Sequence, residues 1–258
     1  MKKLHLFSLA GFIAATAFLS SCSYNPGSTV PPSGTPLDFK KAFNGNYDIF
    51  VVDTADANGN NPDKIISTSK ISVSDIVADT GLTYQGKSHV TKIMTYQGNT
   101  LTDSNYYYQD PNGDLYRYNF GFNILNQFTY LTQAIGSNVD VGWVLASKMI
   151  SPTGTTWVAR TDSVLIQSFN VWVYLSSQGE MMADTTFLIG TQTVKARHAR
   201  NIVNASAAAN LANGQAIVDS YYSSDINAVV EDFFRHVKLT GGINQQVQGQ
   251  LKIMTSHN

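Results

Sequence analysis

The chain has 258 residues with 17 basic and 18 acidic side chains, a net charge of −1 and one cysteine. That balance excludes the basic face that nucleic-acid binding requires, and one cysteine excludes a disulfide framework or a thiolate metal cluster. Charged residues are only 14% of the chain, against about 25% in average proteins. The polar surface must therefore come from Asn, Ser, Thr, Gln and Gly.

At the N-terminus Lys2 and Lys3 precede a mainly apolar run, Leu6 to Leu19, of 14 residues. A membrane-spanning helix needs roughly 20 residues, so the run fits the apolar region of an export signal instead. Leu19-Ser20-Ser21-Cys22 resembles the bacterial lipobox. The resemblance implies diacylglyceryl transfer to the Cys22 thiol, cleavage between Ser21 and Cys22, and acylation of the new α-amine. Loss of residues 1–21 removes Lys2 and Lys3, leaving 15 basic against 18 acidic residues, a net of −3. The expected location is the bacterial cell envelope, with the membrane as partner through the lipid. Ser23 follows Cys22 where an inner-membrane retention signal would carry aspartate, which points to the outer membrane.

Residues 22–36 read as the lipidated cysteine and its tether, since Ser23 to Pro36 is rich in Pro, Gly, Ser and Thr with no apolar period. Residues 37–258 read as a single β-rich domain. Asn46 to Val52 clusters β-branched and aromatic residues, as a strand does. The loop Asp53 to Asp63 is dense in oxygen, but counting Gly59 as sixth puts Thr54 first and Ile65 twelfth, where a calcium loop needs carboxylates. His89 to Gln97 and Leu101 to Gln109 flank a Gly98-Asn99 turn. Asp110-Pro111-Asn112-Gly113 joins two aromatic strands, because Pro111 presets φ and Gly113 accepts positive φ.

Asn123 to Ala134 has rough helical spacing with strand-type composition, so either state is open. Ser163 to Leu175, Thr191 to Val203, Gln215 to Ser223 and Val247 to Thr255 are further expected strands, and Val171 to Leu175 is expected to be covered on both faces. Ala205 to Leu211 reads as a strand running into a loop. Short turns without regular strand–helix alternation predict a mainly β fold: a large curved antiparallel sheet or partial barrel with little helix.

Several stretches together resemble a group of β-rich bacterial envelope lipoproteins without an assigned activity. These are Tyr106 to Phe120, Gly154-Thr155-Thr156-Trp157, Thr193 to Ala199, Tyr221-Tyr222 and Leu251 to Ser256. The chain departs from that pattern at Asp225 to Val229, where the group carries a glycine-rich turn. The resemblance implies fold only. A looser similarity in architecture is to periplasmic lipoprotein carriers, half-barrels that hold acyl chains.

No catalytic constellation stands out. His89, His198, His236 and His257 lack metal-ligand spacing, no Gly-x-Ser-x-Gly is present, and no glycine-rich loop opens a helix. No cofactor or metal is expected. Alternation places Lys195 and Arg197 on one strand face and His198 and Arg200 on the other, and sends adjacent Glu231 and Asp232 to opposite faces as solvated groups. The aromatic residues are the remaining signal. Tyr106, Tyr108, Tyr116, Tyr118, Trp157 and Trp172 form the candidate ligand face, suited to an apolar ligand, a glycan or an envelope protein. A non-catalytic binding or scaffold domain is the leading expectation; a periplasmic carrier of an apolar ligand and a glycan-acting enzyme are the alternatives.

Overall fold

A computed structural model describes residues 34–38, 44–53, 63–121, 140–166, 170–207, 212–241 and 248–257. The signal region, Cys22 and the Asn123 to Ala134 segment lie outside the described residues. So does most of the Asp53 to Asp63 loop.

The strands in chain order are β1 (Asn44–Asp53), β2 (Lys64–Tyr84), β3 (Lys87–Gln97), β4 (Thr100–Gln109), β5 (Asp114–Tyr118), β6 (Trp143–Lys148) and β7 (Thr156–Ile166). There follow β8 (Val171–Met181), β9 (Thr185–Ile189), β10 (Gln192–Ala207), β11 (Ala212–Ser223), β12 (Ala228–Gly241) and β13 (Gly249–His257). They form one 13-stranded sheet in the order β6-β5-β4-β3-β2-β1-β13-β12-β11-β10-β8-β7, with β9 attached to β10. Each ladder is antiparallel, including the β1–β13 ladder that unites the two ends of the described chain. The expected mainly β, curved antiparallel architecture is the observed one, and no α-helix occurs among the described residues.

The sheet rolls until its two ends meet. β6 lies beside β7, β8 and β10. No ladder joins β6 to β7; side chains bridge the seam instead. The Trp157 indole N–H donates to the Leu145 carbonyl at 2.8 Å, and the Asn201 amide donates to the Ala146 carbonyl at 2.9 Å. These bonds satisfy edge groups that would otherwise be buried unpaired.

Local chemistry explains the turns. In the β4–β5 hairpin the Gly113 N–H donates to the Asp110 carbonyl at 2.9 Å, Gly113 has φ +79°, and the Asp110 carboxylate accepts the Asn112 and Asp114 N–H groups, each at 2.9 Å. At the β11–β12 turn Asn227, with φ +50°, occupies the left-handed region that asparagine tolerates. That is where the chain departs from the glycine-rich pattern.

Two expectations are corrected. Ser163 to Leu175 is not one strand but the end of β7 and the start of β8, with Asn170 at φ +50° in the turn between them. Nor is β8 covered on both faces: Val173 and Leu175 face the core, while Trp172 and Tyr174 are 45% and 55% exposed.

Among the described residues, buried side chains line the inner side of the sheet and pack on one another. Leu115, Met149, Met181 and Val144 have no accessible surface, and Tyr107, Val218 and Val203 have almost none. Tyr47, Val194, Ala196, Val230 and Met254 form a second apolar cluster, to which the β9–β10 hairpin contributes Ile189. Polar groups share this interior as closed pairs. Arg117 grips Asp232 with both terminal nitrogens, each at 2.9 Å, and its guanidinium lies 4.3 Å from the Phe120 ring centre. Ser220 donates to the same carboxylate at 2.5 Å. Asp232 therefore corrects the expectation of a solvated group. Nearby, Asp75 accepts from Lys252 at 2.6 Å and from Thr95 at 2.7 Å. Burial disfavours the Arg117 charge, but Asp232, then Tyr107 and Tyr222, together outweigh it and raise its pKa.

Candidate functional site: the outer aromatic face

Alternation sends Leu115 and Arg117 inward from β5 and leaves Tyr116 and Tyr118 outward; on β4, Tyr107 is inward and Tyr106 and Tyr108 are outward. Tyr108 sits opposite Tyr116 in the β4–β5 ladder. Tyr118 sits opposite Trp143 in the β5–β6 ladder. Four of the six expected face residues thus converge on one outer surface. Two rings not singled out from sequence complete it: Trp143 on β6 and Tyr84 at the end of β2.

The rings pack against one another. Tyr84 and Tyr106 stack with centroids 3.9 Å apart and planes 3° from parallel. Tyr118 meets Tyr84 edge-on at 5.0 Å and Trp143 edge-on at 5.4 Å. Tyr108 lies 5.8 Å from Tyr116 and 6.2 Å from Trp143. Such pairs contribute about 0.5–1.5 kcal/mol each beyond their area burial. The β2–β3 turn, where Gln85 and Gly86 have φ +44° and +75°, curls Tyr84 over the face. Its Gln85 carbonyl accepts the Trp143 indole N–H at 3.0 Å.

Two lysines border the rings. The Lys87 ammonium lies 4.7 Å from the Tyr108 centroid and 5.4 Å from that of Tyr116, and Lys92 lies 5.9 Å from Tyr106. The Tyr118 hydroxyl donates to Asp140 at 2.7 Å. Burial, then the Asp140 hydrogen bond and charge, pushes the Tyr118 phenol well above its ordinary range. Burial also raises Tyr84 and Tyr116. These phenols remain neutral, so the face is amphipathic rather than anionic.

The other expected residues lie elsewhere. Trp157 is only 8% exposed and belongs to the seam, its ring filling the space that Gly179 leaves opposite it. Trp172 stands on the outer side of β8, next to Tyr174 by alternation.

A second polar cluster occupies the outer side of β10 to β12. As alternation predicts, His198 and Arg200 share a face, and both reach Asp219, at 2.7 and 2.8 Å. Arg235 holds the other Asp219 oxygen at 2.7 Å. Burial opposes the Asp219 charge, but these three partners hold its pKa well below the carboxylate range. Lys195 and Arg197, on the opposite face, both reach Asp184. Glu231, across the ladder from Tyr221, is pushed up to about 7 by burial and then by Asp232 and Asp219. With its oxygens bound by a histidine and two arginines, Asp219 is ill suited to serve as a nucleophile or base. Asp63, from the loop tested for calcium spacing, accepts the His236 N–H at 3.2 Å. No group of three or more candidate ligands occurs among the described residues.

No family model and no curated protein matches the chain. Two solved structures resemble it. One is a presumed lipoprotein from Parabacteroides distasonis ATCC 8503, with TM-score 0.45 and 11% identity, covering 87% of this chain and 100% of that one. The other is the hypothetical lipoprotein YmcC from Escherichia coli (K12), with TM-score 0.29 and 11% identity, covering 81% of this chain and 85% of that one.

Proposed function

We propose that the chain is a lipoprotein of the bacterial envelope, held at the outer membrane through Cys22, whose barrel is a non-catalytic binding or scaffold domain. The barrel engages its partner with the outer aromatic face. The observation that carries this reading is the set of bulky side chains packed across the inner side of the described sheet. Tyr107, Arg117, Tyr222 and Leu115 occupy the space where a half-barrel carrier would hold an acyl chain, and the Arg117–Asp232 pair links β5 to β12 through it. The glycan-acting alternative draws less support, because Asp219 is committed to its cationic partners and Asp232 to Arg117.

Two measurements test the reading. Native mass spectrometry of the chain, released from its membrane, is expected to show the protein with its covalent acyl groups and no stoichiometric non-covalent lipid. A retained lipid would restore the carrier. Metabolic labelling with a radioactive fatty acid should mark the wild type and not Cys22→Ala; a labelled Cys22→Ala chain would overturn the anchor.

A further inference from the structure

We propose that the bilayer itself is the occupant of the outer aromatic face: the barrel lies with Tyr108, Tyr116, Tyr118 and Trp143 in the phospholipid headgroup layer. This rests on lipidation at Cys22 and names the partner of the same surface.

The first ground is the chemistry of the face. It is built from partly exposed tyrosine and tryptophan rings. Tyrosine and tryptophan favour the membrane–water interface because an apolar ring carries a polar tip, whereas a fully apolar patch would favour a protein partner or the acyl layer. Neutral phenols meet that condition, and Lys87 and Lys92 lie along the rings, as basic side chains do when the stem follows apolar surface and the ammonium reaches phosphate. The neighbouring carboxylates are engaged already: Asp114 with Lys148, Asp140 with Tyr118, and Asp110 in its own turn.

The second ground is where the described chain begins. Gly34 lies against the Met149 carbonyl, and Pro36 lies against Gly113 at the tip of the β4–β5 hairpin. One rung beyond that tip, past the Gln109–Leu115 pair, is the Tyr108–Tyr116 pair. Only residues 23–33 separate Cys22 from this point. Eleven residues span at most about 40 Å, and the face extends roughly 13 Å from Asp114 to Tyr118 at about 3.3 Å per residue. A short tether entering beside one end of the face keeps it at high effective concentration near the bilayer.

A glycan fits less well. Sugar stacking needs an open ring face, and here Tyr84 and Tyr106 cover each other while Tyr118 and Trp143 meet edge-on.

The test uses the complete lipidated protein in vesicles of phosphatidylcholine and phosphatidylglycerol bearing brominated acyl chains. Tryptophan fluorescence should be quenched, the quenching should be lost in Trp143→Phe, and it should persist in Trp172→Phe. Because Trp143 also bonds to Gln85, a second variant avoids the core of the face: Lys87→Glu should weaken partition onto the same vesicles of the mature chain made from Ser23, without signal region or lipid. Vesicle flotation with acyl label but no Trp143-dependent quenching would overturn the docking and leave the anchor intact. Absence of acyl label would overturn the anchor whatever the quenching shows. A Trp143 signal that responds to chitohexaose and not to brominated lipid would make the face a glycan site and overturn the docking.

Discussion

Replacing Glu231 with glutamine should stabilise the protein at alkaline pH and leave it unchanged at acid pH. Glu231 is half-buried on β12 and its carboxyl rises from 4.5 to about 7, through burial first and then Asp232 and Asp219. A raised acid pKa means the folded state binds the proton more tightly than the unfolded state. Stability from this group is therefore complete below about pH 4.5 and is lost as pH climbs through about 7. At full weight the rise would correspond to about 3.4 kcal/mol. Partial solvent contact screens it, and about 1–2 kcal/mol is the expected cost of the ionised form. Glutamine keeps the size and removes the charge. Urea unfolding of wild type and Glu231→Gln at about pH 4 and about pH 9 should give matching midpoints at the lower pH and a higher midpoint for the variant at the upper. Equal effects at both values would show that the substitution acts through packing and that Glu231 titrates normally.

Arg117→Ala should destabilise by about 3–5 kcal/mol, because it strands Asp232 inside the barrel; the double variant Arg117→Met/Asp232→Leu should recover most of that loss in the same urea assay. Gly179→Ala should cost about 1–3 kcal/mol by driving a methyl into the Trp157 ring, and a melting temperature equal to wild type would mean the seam can yield there.

The hairpin at Asp110 to Gly113 was legible because its turn chemistry is local: a proline, a glycine and a carboxylate that binds its own next N–H groups. The split of His198 and Arg200 from Lys195 and Arg197 was legible for the same reason, strand alternation being a property of adjacent residues. β2 was not, since Ser, Thr, Asp and Lys crowd its exposed positions and hide the buried Val73 and Asp75. β12 was hidden by its inward charge: Asp232 interrupts the apolar alternation of Val230 and Phe234, and only its partner Arg117, 115 residues away in sequence, makes that position tolerable. The aromatic face was half legible. Tyr106, Tyr108, Tyr116 and Tyr118 share one hairpin, whereas Tyr84 arrives from a curled turn and Trp143 from a strand across the ladder.

The same contrast bears on function. In the run Tyr106-Tyr107-Tyr108 three identical side chains receive two environments, and nothing within the run decides which ring goes inside. Arg117 decides it from the neighbouring strand. It sits opposite Tyr107 in the β4–β5 ladder, so the two share a face, and its bond to Asp232 fixes that face as the inner one. The ion pair thereby holds Arg117 and Tyr107 on the inner face and leaves Tyr106 and Tyr108 outward. Cross-links from β5 to β12 and from Trp157 to β6 thus hold the barrel together, and the same alternation that turns Arg117 inward lines up Tyr106, Tyr108, Tyr116 and Tyr118 on its outer side.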